Sequence, residues 1–113
     1  MNEKSKKGIV YLLGDWEKEG IYKIGVTRGT IENRIKKLQT GNAGEIYICR
    51  YHCTEHPFFV ERTLHMRFIS KKVFNEWYKL TEEDVLNFPK TCQEIEDMVD
   101  VMSTNPFFPK NLK

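Results

Sequence analysis

The chain has 113 residues, charged residues at 30% of positions and a formal net charge of +2. This length predicts a single domain with a small core, and so small a net charge does not by itself indicate a nucleic-acid partner. No apolar run is long enough to cross a bilayer, the charged residues 1–7 are not followed by a signal-peptide segment, and three cysteines do not make a disulfide framework. We therefore expect no membrane partner, a flexible N-terminus at 1–7 and a reducing intracellular compartment, which is the cytoplasm (of the host, for a viral protein).

The first predicted elements are two strands, at 8–13 and 21–26, separated by a Gly-bounded and mostly polar loop at 14–20. This arrangement predicts an antiparallel hairpin. Tyr11 interrupts the first apolar run and Lys23 the second. A phenol and an ammonium group are thus expected on neighbouring strands.

Alternation along the second strand divides its side chains between two faces. Tyr22, Ile24 and Val26 share one face, which we interpret as the core face, whereas Lys23 and Gly25 share the other. Lys23 is therefore expected to point away from the core, with open space beside it at the glycine.

A helix is predicted from Thr30, a natural N-cap, with Ile31, Ile35 and Leu38 as its buried stripe. Arg34 lies about 60° around the axis from Ile31, so it is the cation of this helix nearest the core edge. Its guanidinium either extends over apolar surface or has a function at that edge.

The remaining elements follow in chain order: a third strand at 45–53, a second helix from Pro57 to about Ile69, a short extended segment at 76–80, helix starts at Thr81 and Thr91, and an irregular tail at 105–109. Proline suits a first helical turn. The residues from Thr91 to Glu94 have the pattern of a capping box.

Glu61 lies on the apolar stripe of the second helix, three residues before Leu64. A buried carboxylate needs a cation, a metal ion or a proton, because an uncompensated charge in the interior is costly. Three interpretations of Glu61 are open: it forms a salt bridge to Arg62 or Arg67, it is simply exposed at the edge of the stripe, or it binds a hard divalent cation.

Several of these residues together resemble the GIY-YIG nuclease superfamily, and most closely its T5 Orf172-like and Mug113-like branch. The resemblance covers about residues 8–80, and its motifs are Gly8-Ile9-Val10-Tyr11, Tyr22-Lys23-Ile24-Gly25 followed by Thr27, Arg34, Leu38 to Asn42, Glu61 with His65, and Glu76-Trp77-Tyr78. One such motif is weak, whereas several in order are specific.

The resemblance implies an α+β fold with a small central three-stranded antiparallel sheet flanked by helices. It assigns 8–80 to a nuclease-like domain, and we expect 81–113 to form a C-terminal helical extension and tail packed on the same domain. The implied activity is metal-dependent endonucleolytic hydrolysis of phosphodiester bonds in DNA through a single-metal site.

The resemblance also implies roles for individual residues. Tyr11 would help to activate the attacking water, Arg34 would stabilise charge on the scissile phosphate, and Glu61 would hold one Mg²⁺ or Mn²⁺ ion. Lys23 departs from the pattern because it stands at the second signature tyrosine. It either acts as a base after losing its proton or serves as a further cation at the phosphate.

Three further residues have open roles. Tyr22 is a second catalytic candidate if the strand register differs from the one predicted here. His65, one turn after Glu61, is either a partner or proton shuttle for that carboxylate or a packing residue. Glu76 either adds a carboxylate to the site or serves folding.

The basic residues Arg28, Lys36 and Lys37 form either a phosphate-binding rim or a solvated helix face, and beside the signature residues we favour the rim. Zinc binding by Cys49 and Cys53 is rejected, since residues four apart in a strand are about 13 Å apart.

Two other functions remain open. One is a non-catalytic DNA-binding module on the same scaffold, although the presence of Tyr11, Arg34 and Glu61 together favours the enzyme, because simple phosphate binding has no need of Glu61. The other is a phage or mobile-element accessory protein that binds a protein through the acidic helix at 94–100, a segment that core packing explains equally well. Duplex, branched and single-stranded DNA all remain candidate partners, as does a second copy of the chain.

Overall fold

A computed structural model describes residues 7–103, which form one antiparallel sheet with helices on both faces. The strands are β1 (Gly8–Asp15), β2 (Ile21–Thr27), β3 (Ile46–Thr54), β4 (Lys72–Phe74) and β5 (Trp77–Lys79), and the helices are α1 (Ile31–Thr40), α2 (Pro57–Arg67), α3 (Glu82–Leu86) and α4 (Phe88–Ser103). A single 3₁₀ turn, Ile69–Lys71, follows α2. In this part of the chain no helix combines the length and apolar character needed to span a bilayer. The predicted tail at 105–109 and most of the predicted N-terminal segment lie outside the described residues.

The α+β class is confirmed, but the prediction of three strands is wrong, because the sheet has five in the order β3-β1-β2-β5-β4. Strand β5 pairs with β2 through Tyr22 and Tyr78, and β4 pairs with β5 across a two-residue turn in which Asn75 has φ +48°. Strands β4 and β5 contain three residues each. Three residues are too few to show the alternation of apolar and polar side chains that is typical of a strand. The sequence therefore predicted only an extended segment at 76–80.

The first two helices begin as predicted. The Thr30 hydroxyl accepts a hydrogen bond from the Asn33 amide at 3.1 Å, which caps α1. Pro57 is the first residue of α2, and the α-helix ends at Arg67, with the 3₁₀ turn extending past Ile69.

The predicted helix start at Thr91 is wrong. Helix α4 begins at Phe88, and the Thr91 amide donates to the Asn87 carbonyl at 2.8 Å, so Thr91 is already inside the first turn. The capping box is found instead at Thr81, whose side chain and that of Asp84 each accept from the other's backbone N–H.

The core lies on both faces of the sheet, because alternate residues of β1 face opposite helical layers. Val10 and Leu12 belong to the larger cluster, which includes residues of α2 and α4. Tyr11 and Leu13 belong to the smaller cluster, under α1. In α4, Ile95 is fully buried, which supports core packing of this helix.

A buried carboxylate joins the ends of β1 and α1. The Asp15 side chain accepts hydrogen bonds from the Glu17 amide (2.8 Å), Lys18 Nζ (2.9 Å) and Asn42 Nδ2 (2.8 Å). Burial alone would raise the pKa of Asp15, but these hydrogen bonds and the Lys18 charge outweigh it and lower the pKa to about 2. A Cβ on Gly44 would overlap the Asp15 carboxylate, so a side chain at position 44 would displace Asp15 from these hydrogen bonds.

Gln39 completes the same junction. Its Nε2 donates to the Gly44 carbonyl at 2.8 Å and its Oε1 accepts from the Ile46 amide at 2.9 Å. The stretch from Leu38 to Asn42, which the resemblance singles out, therefore fixes α1 against the start of β3 through hydrogen bonds.

We predict that Asp15→Asn lowers the free energy of unfolding at pH 7 by about 2–3 kcal/mol, because the charge is lost and an amide NH₂ faces buried donors. The stabilisation by Asp15 is present above its usual pKa of 3.8 and is lost as the pH falls to about 2. Urea unfolding should therefore show a wild-type advantage that shrinks between those pH values. Exposed Asp97→Asn is the control, and equal effects of the two substitutions at pH 7 would contradict the prediction.

Candidate active site

Tyr11 lies on β1, opposite Gly25 of β2, and its ring covers that glycine. The residue is only 3% exposed. A Cβ on Gly25 would overlap the phenol, so the glycine is required for this ring position. The open space predicted beside Lys23 is thus filled by the Tyr11 ring.

The pKa of the Tyr11 phenol is affected by burial and by three charged side chains. Burial raises the pKa of Tyr11 to about 12, with Arg34 acting to lower it and Glu76 and Glu61 acting to raise it. The phenol therefore keeps its proton at neutral pH. One guanidinium and two carboxylates lie close enough to this hydroxyl to affect its ionisation.

Glu61 of α2 is half-buried, with 18% of its side chain exposed, and its carboxylate contacts the imidazole of His65, one turn later in the helix. His65 Nε2 lies 3.2 Å from Glu61 Oε2, and Nδ1 is hydrogen-bonded to the Tyr78 hydroxyl. Because an ionised carboxylate only accepts, Nε2 carries the proton in this arrangement. Of the predicted partners for Glu61, Arg67 extends instead to Met98 Sδ at 3.8 Å.

A second carboxylate joins this pair. Glu76, in the turn between β4 and β5, places an oxygen so that the ligand atoms of Glu61, His65 and Glu76 all lie within 4.8 Å of one another. Two carboxylates and an imidazole are a donor set suited to a divalent cation. This group is the one such cluster that the described residues form.

Lys23 lies beside this cluster, on the same face of the sheet as Tyr11. Its Nζ is 3.0 Å from Glu76 Oε1 and 5.7 Å from the centre of the Trp77 ring. The Lys23 side chain is only 14% exposed. The Lys23 side chain is therefore held between a carboxylate and an aromatic face.

Arg34, on α1, contacts β2, the strand that pairs with Tyr11. Its Nη2 donates to the Val26 carbonyl at 3.3 Å, and its Nε is buried with no hydrogen-bond partner among the residues described. A guanidinium has five N–H donors. Arg34 thus has donors available for an anion.

A groove runs from Arg34 along α1. It is lined by Thr27, Gly29, Thr30, Asn33, Arg34, Lys36 and Lys37. Lys36 and Lys37 are exposed there, so the structure brings both predicted rim lysines to the predicted phosphate arginine. Arg28 is not among the lining residues, and its guanidinium lies 5.1 Å from the centre of the Phe58 ring.

Tyr22 is not brought to this site. The predicted strand register is confirmed, so Tyr22 pairs with Gly14 and Tyr78 and packs against the larger core cluster, on the face opposite Tyr11. The different register on which its candidacy depended does not occur.

The two β3 cysteines lie on opposite faces of the sheet. Cys49 is the extra residue of a bulge and packs against the larger core cluster, whereas Cys53 pairs with Ile9 beside the smaller one. His52 is hydrogen-bonded to Glu96 of α4 at 2.8 Å. These residues do not converge on one point.

Two features of the site were not predicted from the sequence. Tyr78 orients His65, and a cavity beside Glu61 is walled by Met66, Ile69 and Asn75. Both depend on the β4–β5 hairpin, whose pairing was not predictable, and the Glu-Trp-Tyr motif was the one indication that this segment matters.

Comparison with known proteins gives one family assignment. The model of the T5orf172 domain matches residues 8–93, which includes every site residue described above. No curated protein and no solved structure matches the chain.

We predict that Gly25→Ala displaces the Tyr11 ring and costs about 1–3 kcal/mol of stability, because the added methyl group overlaps the buried phenol. NMR spectra of the Tyr11 ring and thermal unfolding measure the two effects. Gly41→Ala is the matched control, since a Cβ there meets no atom within 4 Å. Unchanged Tyr11 resonances in Gly25→Ala would contradict the described ring position.

Proposed function

The chain belongs to the T5orf172 domain family, the T5 Orf172-like branch associated with GIY-YIG-type nucleases, and we propose that it is a metal-dependent endonuclease acting on DNA. The family itself is nuclease-like and DNA-binding. The observation that carries the proposal is the half-buried Glu61 carboxylate, whose ligand atom lies within 4.8 Å of those of His65 and Glu76, with Glu76 in turn 3.0 Å from Lys23.

A carboxylate in this place supports hydrolysis rather than simple DNA binding. Phosphate binding uses cations and backbone N–H groups, and an ionised Glu61 beside a phosphate would repel it. A divalent cation removes this conflict, and Glu61 is the residue that would hold Mg²⁺ or Mn²⁺. The bound ion would supply Lewis-acid stabilisation of negative charge on the reacting phosphate and the leaving oxygen.

The chain's own residues supply the other requirements of phosphodiester hydrolysis. Arg34 donates from its Nη groups to a non-bridging phosphate oxygen, which stabilises the charge that develops there. Lys23 adds a second positive charge on the same face. The Tyr11 oxygen accepts a hydrogen bond from the attacking water and orients it, a role that a protonated phenol can perform. The proton that this water loses passes to solvent, and the leaving oxygen takes a proton from solvent in turn.

DNA approaches along the basic groove in this proposal. Lys36 and Lys37 contact backbone phosphates next to the one that Arg34 binds, whereas Arg28 lies outside the groove, against Phe58. Contacts of this kind carry no sequence information, so the groove supports binding to many DNA sequences.

We predict that Glu61→Gln reduces nicking of supercoiled plasmid by at least about 10²-fold in Mg²⁺ and in Mn²⁺, because loss of the ion removes charge stabilisation from the transition state. DNA binding should be preserved, since the substitution removes a negative charge. Glu94→Gln, an exposed change on α4, is the control.

The outcomes of this experiment separate the candidate functions. Equal cleavage by wild type and Glu61→Gln would overturn the proposal and indicate a contaminating nuclease. Absence of cleavage by the wild type in either metal, with salt-sensitive DNA binding in both proteins, would identify a non-catalytic DNA-binding module.

We also predict that Lys36→Ala with Lys37→Ala lowers the slope of log K against log salt for duplex DNA by about 2, because each lost phosphate contact removes about 0.9. Fluorescence anisotropy over a salt series measures it. The control pair is Lys79→Ala with Lys90→Ala, which lies outside the groove, and the same slope change in both pairs would contradict the proposed DNA path.

A further inference from the structure

We propose that Glu61, His65 and Glu76 together form a three-ligand site for a divalent transition-metal ion such as Mn²⁺, and that Glu76 exchanges between this ion and the Lys23 ammonium. The proposal deepens the proposed function and rests on it for the role of the ion. The binding itself is measurable without DNA.

The spacing of the three donors is close to that of a coordination sphere. Their ligand atoms all lie within 4.8 Å of one another. In an octahedral sphere with bonds of about 2.1 Å, neighbouring ligands are about 3 Å apart and opposite ligands about 4.2 Å apart. Small side-chain rotations therefore suffice, and Glu76, with 48% of its side chain exposed, is free to make them.

His65 is held for this task by a buried hydroxyl. Its Nδ1 is hydrogen-bonded to Tyr78, which is only 1% exposed, so the imidazole plane is fixed and Nε2 faces Glu61. Metal binding through Nε2 requires the ring proton, which faces Glu61 in the described arrangement, to move to Nδ1, where the Tyr78 oxygen accepts it. Metal-bound histidines in proteins usually donate their other N–H to such a partner.

Lys23 already shows that the Glu76 carboxylate attracts a cation. Its ammonium group lies 3.0 Å from Glu76 Oε1, and the Trp77 ring limits how far it can move. An ion that draws Glu76 towards Glu61 and His65 breaks this ion pair. The freed Lys23 ammonium then faces the bound phosphate, so metal loading and cation delivery are coupled.

The imidazole also determines which metal is preferred. Mg²⁺ is held by oxygen ligands, whereas Mn²⁺ accepts both carboxylate oxygen and imidazole nitrogen. The site is therefore expected to bind Mn²⁺ more tightly than Mg²⁺, and removal of the imidazole should reduce that preference.

Mn²⁺ titration of the DNA-free protein, followed by the EPR signal of free Mn²⁺, tests the inference. Glu76→Gln should weaken binding about tenfold or more, as loss of a ligand does. Lys23→Met should strengthen it severalfold by removing the competing cation. His65→Gln should weaken Mn²⁺ more than Mg²⁺, measured by competition. Glu94→Gln on α4 is the control and should bind as the wild type does.

The failure of this inference and that of the proposed function are distinguishable. If Glu76→Gln and His65→Gln bind Mn²⁺ as the wild type does while Glu61→Gln does not, the three-ligand site is wrong and Glu61 alone holds the ion, with the nuclease proposal intact. If Lys23→Met leaves the affinity unchanged, the exchange of Glu76 is wrong. If Glu61→Gln binds Mn²⁺ normally, both proposals lose their metal site.

Discussion

Strand β1 is hydrogen-bonded along both edges, to β2 and to β3, and its side chains therefore have only two directions available. Val10 and Leu12 enter the core beneath α2 and α4, which sends Tyr11 to the α1 face. A shift of one residue would reverse every one of these side chains. The position of the candidate catalytic phenol is thus fixed by the same alternation that builds the core.

The site forms where β5 stops pairing with β2. Their ladder covers Ile21–Lys23, and the Ile24 amide donates to the Glu76 carbonyl at 3.1 Å, so the turn before β5 is tied to β2. Gly25 comes next, and the Tyr11 ring occupies the space above it. The end of one short strand therefore brings the Glu76 carboxylate to the phenol and to Lys23.

Long periodic segments made much of this predictable from sequence. The β1–β2 hairpin, the face of Lys23 and the stripe of α1 follow from periods of 2 and 3.6. The His65–Tyr78 and Lys23–Glu76 contacts do not, because 13 and 53 residues separate the partners and no period relates them. The pairing of three-residue strands is decided by tertiary contacts. The sequence therefore indicated the candidate site residues, but it did not indicate which of them are in contact with each other.

The hydrogen bonds around Asp15 hold in place the helix that carries Arg34, the candidate phosphate-binding residue. Asn42 binds Asp15, and Gln39 joins the end of α1 to β3, so α1 cannot shift along the sheet without breaking these partly buried hydrogen bonds. Arg34 is on this helix, and its one backbone anchor is the Val26 carbonyl. Its remaining donors keep their direction only while α1 stays in place. Residues that touch no DNA in the proposed function therefore determine where the guanidinium would meet the phosphate, which gives the motif from Leu38 to Asn42 a physical reason to accompany the candidate site residues.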